Sequence, residues 1–212
     1  MVRYTHINHL VLQTLSKLDI VVFPLFAEPV IETIPNCRLM SYQKFAELND
    51  CSIKEVIELC ESRFGCTHYD VANDRYLILC NTSTAYNNNK GRQRWTVFHE
   101  IGHILCKHHD IAAFLSSTED KTLLPRIDNR DFEMEADYFA ATILAPFPLF
   151  KMFEISSPED VQIMFGLSRE ASINRYKQYA KWLMDHKKTS WENDILRLYL
   201  QKLDLFEING LP

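Results

Sequence analysis

The stretch RWTVFHEIGH, residues 94 to 103, constrains this chain more than any other, because it sets two histidines four positions apart around a glutamate inside an apolar run. On a helix, positions i and i+4 project from one face about 40° apart, so His99 and His103 can turn two imidazoles toward one ion. Glu100, one residue on from His99, flanks that face. In H-E-x-x-H the two histidines bind zinc, and the glutamate accepts a proton from the attacking water without becoming a ligand itself. Such a helix needs a third ligand from elsewhere in the chain, since catalytic zinc takes three protein ligands and keeps one position open.

Two sources compete for the third ligand. His109 stands where the longer H-E-x-x-H-x-x-G-x-x-H pattern has its last histidine, but Cys106 occupies the glycine position. Cysteine takes the sharp turn poorly. His109 and its neighbour His108 therefore read as exposed residues at a helix end, where they favour the dipole. The other source is an acid of DFEMEADYFAA. Glu133 and Asp137 are again i and i+4 and share a face, while Glu135 lies about 200° round the helix from Glu133. That face supplies a ligand together with a carboxylate to accept the outer N–H of a ligating histidine, and Asp137 suits the second role. Phe132, Met134, Phe139 and Ile143 give the pair apolar surroundings. Glu135 reads as a solvated surface charge.

Composition leaves this chemistry unopposed. A chain of 212 residues with 47% apolar content can bury a core, and its formal charge of −5 argues against charge-driven binding to nucleic acid or an anionic membrane. Six cysteines lie scattered with no C-x-x-C pair, as expected of reduced structural thiols. Polar residues interrupt the apolar N-terminal segments and no small-residue cleavage site follows. No apolar run reaches the roughly 18 residues of a membrane helix, so a cytoplasmic location is expected.

Along the chain, residues 7 to 18 have helical spacing, DIVVF reads as a short buried strand ended by Pro24, and CRLMSY reads as extended. A helical stretch from Gln43 to Phe64 breaks near Asn49 and Asp50, and Gly65 is read as its close. DRYLILCN, 74 to 81, is rich in strand formers and leads into the histidine-bearing helix. Its YLILCN part offers either a buried strand or an edge onto which a peptide could add. SSTEDKTLLPRIDNR, 116 to 130, reads as a loop before the acid-bearing helix, which Pro146 and Pro148 stop. Ser157 caps a helix whose first residue is Pro158, and FGLS forms a tight turn into a second helix. That helix-turn-helix pattern reads as a packing unit in preference to a DNA reader, although Arg169, Arg175, Lys177 and Lys181 supply positive charge. WENDILRLYLQKLDLF is expected to form a covering helix with its leucines in the core.

RWTVFHEIGHIL, followed by EMEADYFAATILAP and MFGLSREASINRY, resembles the ImmA/IrrE family of zincin-like metallopeptidases. The resemblance extends upstream to YLILCNTS and spans roughly residues 41 to 180. It implies an α+β fold, with a zincin-like metallopeptidase domain over residues 1-150 and a helical, helix-turn-helix-like C-terminal part over 151-212. It also implies that His99, His103 and Glu133 bind Zn2+ and that Glu100 acts as the base. The substrate it implies is a regulatory protein, a helix-turn-helix repressor of a mobile element or stress response. The rival expectation is a metal-binding regulator that acts on protein or DNA without cutting. No residue is assigned to the oxyanion; Tyr138, His108 and His109 are the nearby polar groups.

Overall fold

The computed structural model describes residues 1–109, 129–185 and 190–202. The N-terminal helix α1, Tyr4–Ser16, buries Ile7, Val11 and Leu15 along one stripe, the spacing that its sequence carries. A short helix α2, Ala27–Glu32, leads into strand β1, Cys37–Ser41. Two short helices follow, α3 at Tyr42–Leu48 and α4 at Ile53–Leu59. Ser52 opens α4 with a capping box in which Glu55 answers its backbone N–H, so two of the orphan donors at the helix start are satisfied together.

Strand β2, Gly65–Asp70, and strand β3, Arg75–Cys80, complete a three-stranded sheet of order β1-β3-β2. β1 runs parallel to β3 with Leu39 opposite Ile78, and β2 runs antiparallel with Thr67 opposite the same residue. The edge reading of YLILCN is thereby corrected. β3 is hydrogen-bonded on both sides, which suits its apolar content, and β2 is an outer strand. The period of two along β3 divides its side chains: Ile78 and Cys80 join the main core, while Leu77 and Leu79 face the smaller cluster of Tyr42, Ala46 and Val56 from α3 and α4. Gly65 opens β2 instead of closing a helix, since α4 ends at Leu59 with Cys60 as its cap and the chain then turns through a left-handed Glu61. A Cβ at Gly65 would lie 2.8 Å from the Leu79 carbonyl oxygen, so glycine is what lets the strand start this close to β3.

The histidine-bearing helix α5, Lys90–Leu105, packs on β2 and β3 and, on its other side, against α6, Asn129–Leu144. The loop expected over residues 116 to 130 lies outside the described residues apart from 129 and 130, which begin α6. Helices α7, Phe147–Met152, α8, Pro158–Phe165, α9, Arg169–Asp185, and α10, Ser190–Lys202, follow. Among the described residues DIVVF forms no strand of the sheet; Val21 N donates to Lys202 O at 2.7 Å, which ties it to α10. In α10 the fully buried side chains are Ile195 and Tyr199, and Leu196 and Leu198 are half-buried against the same core while Leu200 is exposed; Leu203 and Leu205 lie outside the described residues. Among the described residues no helix is long and apolar enough to cross a membrane.

Candidate metal centre

Helix α5 starts where Asn89 accepts the Arg92 N–H at 2.9 Å, and it is held from behind by the turn between α8 and α9. A Cβ on Gly91 would meet Ser168 N at 2.4 Å, and Arg94 donates to the Gly166 carbonyl. Gly166 itself is left-handed, with φ 60°, and ends α8. The FGLS turn is thus packed against the start of α5. Arg175 is buried there, donating through Nε to Ala145 O at 2.9 Å with its guanidinium 3.7 Å from the centre of the Phe147 ring. It is removed from the charge proposed for a DNA-reading face, and Arg169, Lys177 and Lys181 remain exposed.

Gly102 sets the distance between α5 and α6. A Cβ there would sit 3.0 Å from Ala136 Cα and 3.1 Å from Ala136 O, so a side chain at this position would press on the α6 backbone. This contact brings His99 and His103 on α5 opposite Glu133 and Asp137 on α6. The Nε2 atoms of the two histidines are 3.1 Å apart. Glu133 Oε2 lies 3.2 Å from His99 Nε2, and Glu133 Oε1 lies 3.5 Å from His103 Nε2. Neighbouring ligand atoms around a tetrahedral zinc with bonds of about 2.0–2.1 Å are separated by about 3.3–3.4 Å. The three side chains therefore fit a zinc-class ion, with both histidines presenting Nε2. The histidine side chains are 18% and 13% exposed and that of Glu133 is 60%, so the centre opens to solvent on the α6 side.

The outer nitrogens are also occupied. His99 Nδ1 lies 2.9 Å from Asp137 Oδ1, an arrangement that suits a carboxylate orienting a ligand. His103 Nδ1 lies 2.9 Å from His108 Nδ1. The exposed helix-end reading of His108 is wrong: it is 3% exposed and stacks on Phe132. The chain leaves α5 through Cys106 and takes the left-handed conformation at Lys107, φ 60°, one residue after the position expected to need glycine. That turn folds His108 back beneath His103. His109 is half-buried near the rings of Tyr69 and Tyr76.

Glu135 overturns its reading as a solvated charge. It is 2% exposed and binds the Arg3 backbone N–H at 2.8 Å, the Arg3 guanidinium, and His108 Nε2 at 3.0 Å. Burial alone would push its carboxyl up, but Arg3 and His108 outweigh that and hold it at about 2. Met134, assigned to the apolar surroundings, is instead exposed. Glu100 accepts a hydrogen bond from Thr67 Oγ1 of β2 at 2.7 Å, a partner the sequence did not suggest; burial raises its carboxyl above the ordinary range. The Tyr138 hydroxyl donates to Asn8 of α1 and is committed there.

The sequence model of the IrrE N-terminal-like domain matches residues 64–177, from the start of the sheet's second strand into α9. Among curated proteins none matches the chain. The match takes in more than half of the 212 residues and contains α5 and α6 whole, so the chain belongs to the family of peptidases built on the IrrE N-terminal-like domain.

Proposed function

We propose that this chain is a zinc-dependent endopeptidase of the cytoplasm that cleaves a regulatory protein, a helix-turn-helix repressor of a mobile element or stress response. The observation that carries the reading is the convergence of His99, His103 and Glu133 at ligand spacing, with the half-buried carboxylate of Glu100 one residue from the first of them. Zinc held by those three residues would supply Lewis acidity to the scissile carbonyl and to water. Glu100 takes a proton on its carboxylate from the attacking water and passes it to the nitrogen of the leaving amine. Thr67 holds Oε2 of that carboxylate, so the base is oriented before substrate arrives. Its raised affinity for protons, caused by burial, suits a base that must hold the proton between the two transfers.

Among the described residues the outer edge of β2 has no strand beside it. A peptide adding to that edge would gain main-chain hydrogen bonds and run past Thr67, which touches the base. Beyond Asp137 a cavity of about 700 Å³, lined by Trp95, Tyr138, Phe147 and Arg175 among others, offers room for side chains of the substrate.

The test is co-expression of a helix-turn-helix repressor encoded beside this gene with wild type or with Glu100→Gln, followed by intact-protein mass spectrometry. Fragments with wild type alone support the peptidase and give the bond. A repressor left whole by zinc-loaded wild type, with regulation unaffected by Glu100→Gln, supports instead a regulator that acts by binding.

A further inference from the structure

Behind the candidate ligands runs a chain of polar groups, from half-buried His103 through buried His108 and Glu135 to Arg3 at the surface. We propose that His108 is a positioning residue for the metal centre: it accepts the Nδ1–H of His103, and Glu135 with Arg3 fixes the direction of that bond. The proposal rests on the reading of His103 as a zinc ligand through Nε2.

The direction follows from proton counting. A carboxylate can only accept, so His108 Nε2, 3.0 Å from Glu135 Oε2, must carry the hydrogen. The neutral His108 ring then has its lone pair on Nδ1, where it faces His103 Nδ1 at 2.9 Å. His103 must donate from Nδ1, which leaves its own lone pair on Nε2, the atom 3.1 Å from His99 Nε2 and 3.5 Å from Glu133 Oε1. The opposite assignment sets the His108 Nε2 lone pair against the carboxylate. Glu135 thereby selects, two residues away along the bonds, the tautomer of His103 that can bind a metal.

The anchor is rigid. Arg3 donates from Nε to both Glu135 oxygens, at 2.9 and 3.1 Å, and from its backbone N–H at 2.8 Å. Its Nη2 also reaches Cys106 O at 3.1 Å, so one guanidinium ties the end of α5 to α6. Cys106, His108 and Glu135 have ligand atoms within 4.8 Å of one another, as a second metal site would. The guanidinium already neutralises that carboxylate, however, and the free lone pair of His108 is spent on His103.

The experiment measures zinc stoichiometry and affinity by competition with a chromophoric chelator, and the visible spectrum of the Co2+ form. Circular dichroism of the metal-free protein reports folding. His108→Phe keeps the stack on Phe132 and removes both nitrogens; about 10–100-fold weaker zinc binding and a shifted Co2+ spectrum are expected, with the fold kept. His108→Asn, which returns an acceptor close to the lost Nδ1, is expected to recover most of the affinity. Arg3→Met, altering a half-exposed side chain, is expected to weaken zinc several-fold and decides the matter if His108→Phe does not fold. Wild-type zinc affinity and Co2+ spectrum in His108→Phe, or in Arg3→Met should the first not fold, overturn the relay. So do two zinc ions per wild-type chain. Zinc binding that survives His103→Ala, or is absent from wild type, sinks the metal reading itself and is distinguished from failure of the relay by that control.

Discussion

Thr67 and Glu100 meet through a single hydroxyl, and that contact is the plainest device for holding the proposed base in place. A hydrogen bond to a charged group contributes about 1.5–3 kcal/mol, and Thr67→Val removes it while keeping the side chain's shape. The expected result is a fall in kcat of about tenfold, with KM and zinc content unchanged, measured on the cleaved repressor. Equal losses in kcat and zinc content would mean that Thr67 supports the fold of the site instead. Thr67 could not be found from sequence, because nothing in GCTHYD says which helix residue the strand will face. Glu135 could have been questioned: it sits one residue before Ala136 and four before Phe139, both fully buried, and a carboxylate on an apolar face calls for a counter-charge. Its partner Arg3 is 132 positions away, a distance that no local pattern spans.

Helix pairing does for the ligands what Thr67 does for the base. His99 and His103 belong to α5 and Glu133 to α6, so the ligand spacing is only as good as the approach at Gly102. Gly102→Val drives a branched side chain into Ala136 and Phe139 and should cost about 2–3 kcal/mol, read as a lower urea midpoint, with zinc lost at chelator concentrations that wild type withstands. Retention of wild-type zinc affinity would show that the two helices repack without moving the ligands. The cap of α8 gives a prediction in pH. Asp160 accepts from Ser156 N, Ser156 Oγ and Ser157 N, each at 2.9 Å, and these bonds, the Ser156 N–H foremost, hold its carboxyl below the usual range. A lowered folded-state value stabilises above the ordinary carboxylate value of about 3.9 and loses that contribution as pH falls further. Asp160→Ala should therefore cost about 0.5–1 kcal/mol at neutral pH, and the gap to wild type should close as the pH drops below about 3.9. Both helices of the site and this cap were legible, since capping residues and apolar spacing are local. β2 was not, because its alternation is weak and its pairing is with β3.

The core joins what the sequence divides near residue 150. Ile7 and Val11 of α1, Phe98 and Ile101 of α5, Phe139 and Ile143 of α6, and Phe150 of α7 lie in one apolar cluster with Phe165 of α8 and Ile195 and Tyr199 of α10. Phe165 stacks on Phe150 with ring centres 5.1 Å apart, and Phe23 meets both Phe165 and Tyr199 edge-on or tilted. The Tyr199 hydroxyl donates to Ile143 O at 2.8 Å, on the helix that carries Glu133. Removing residues 151–212 would uncover these rings and leave α6 without its far support. A cluster shared by the elements on both sides of residue 150 is expected to melt as one unit. Calorimetry of the full chain should show one transition, with calorimetric and van't Hoff enthalpies equal. A fragment of residues 1–150 should bind a hydrophobic dye, lack a cooperative transition and hold zinc poorly. If that fragment instead melts cooperatively and retains zinc, the helices after residue 150 are a separable unit, and the metal centre owes its geometry to α1, α5, α6 and the sheet alone.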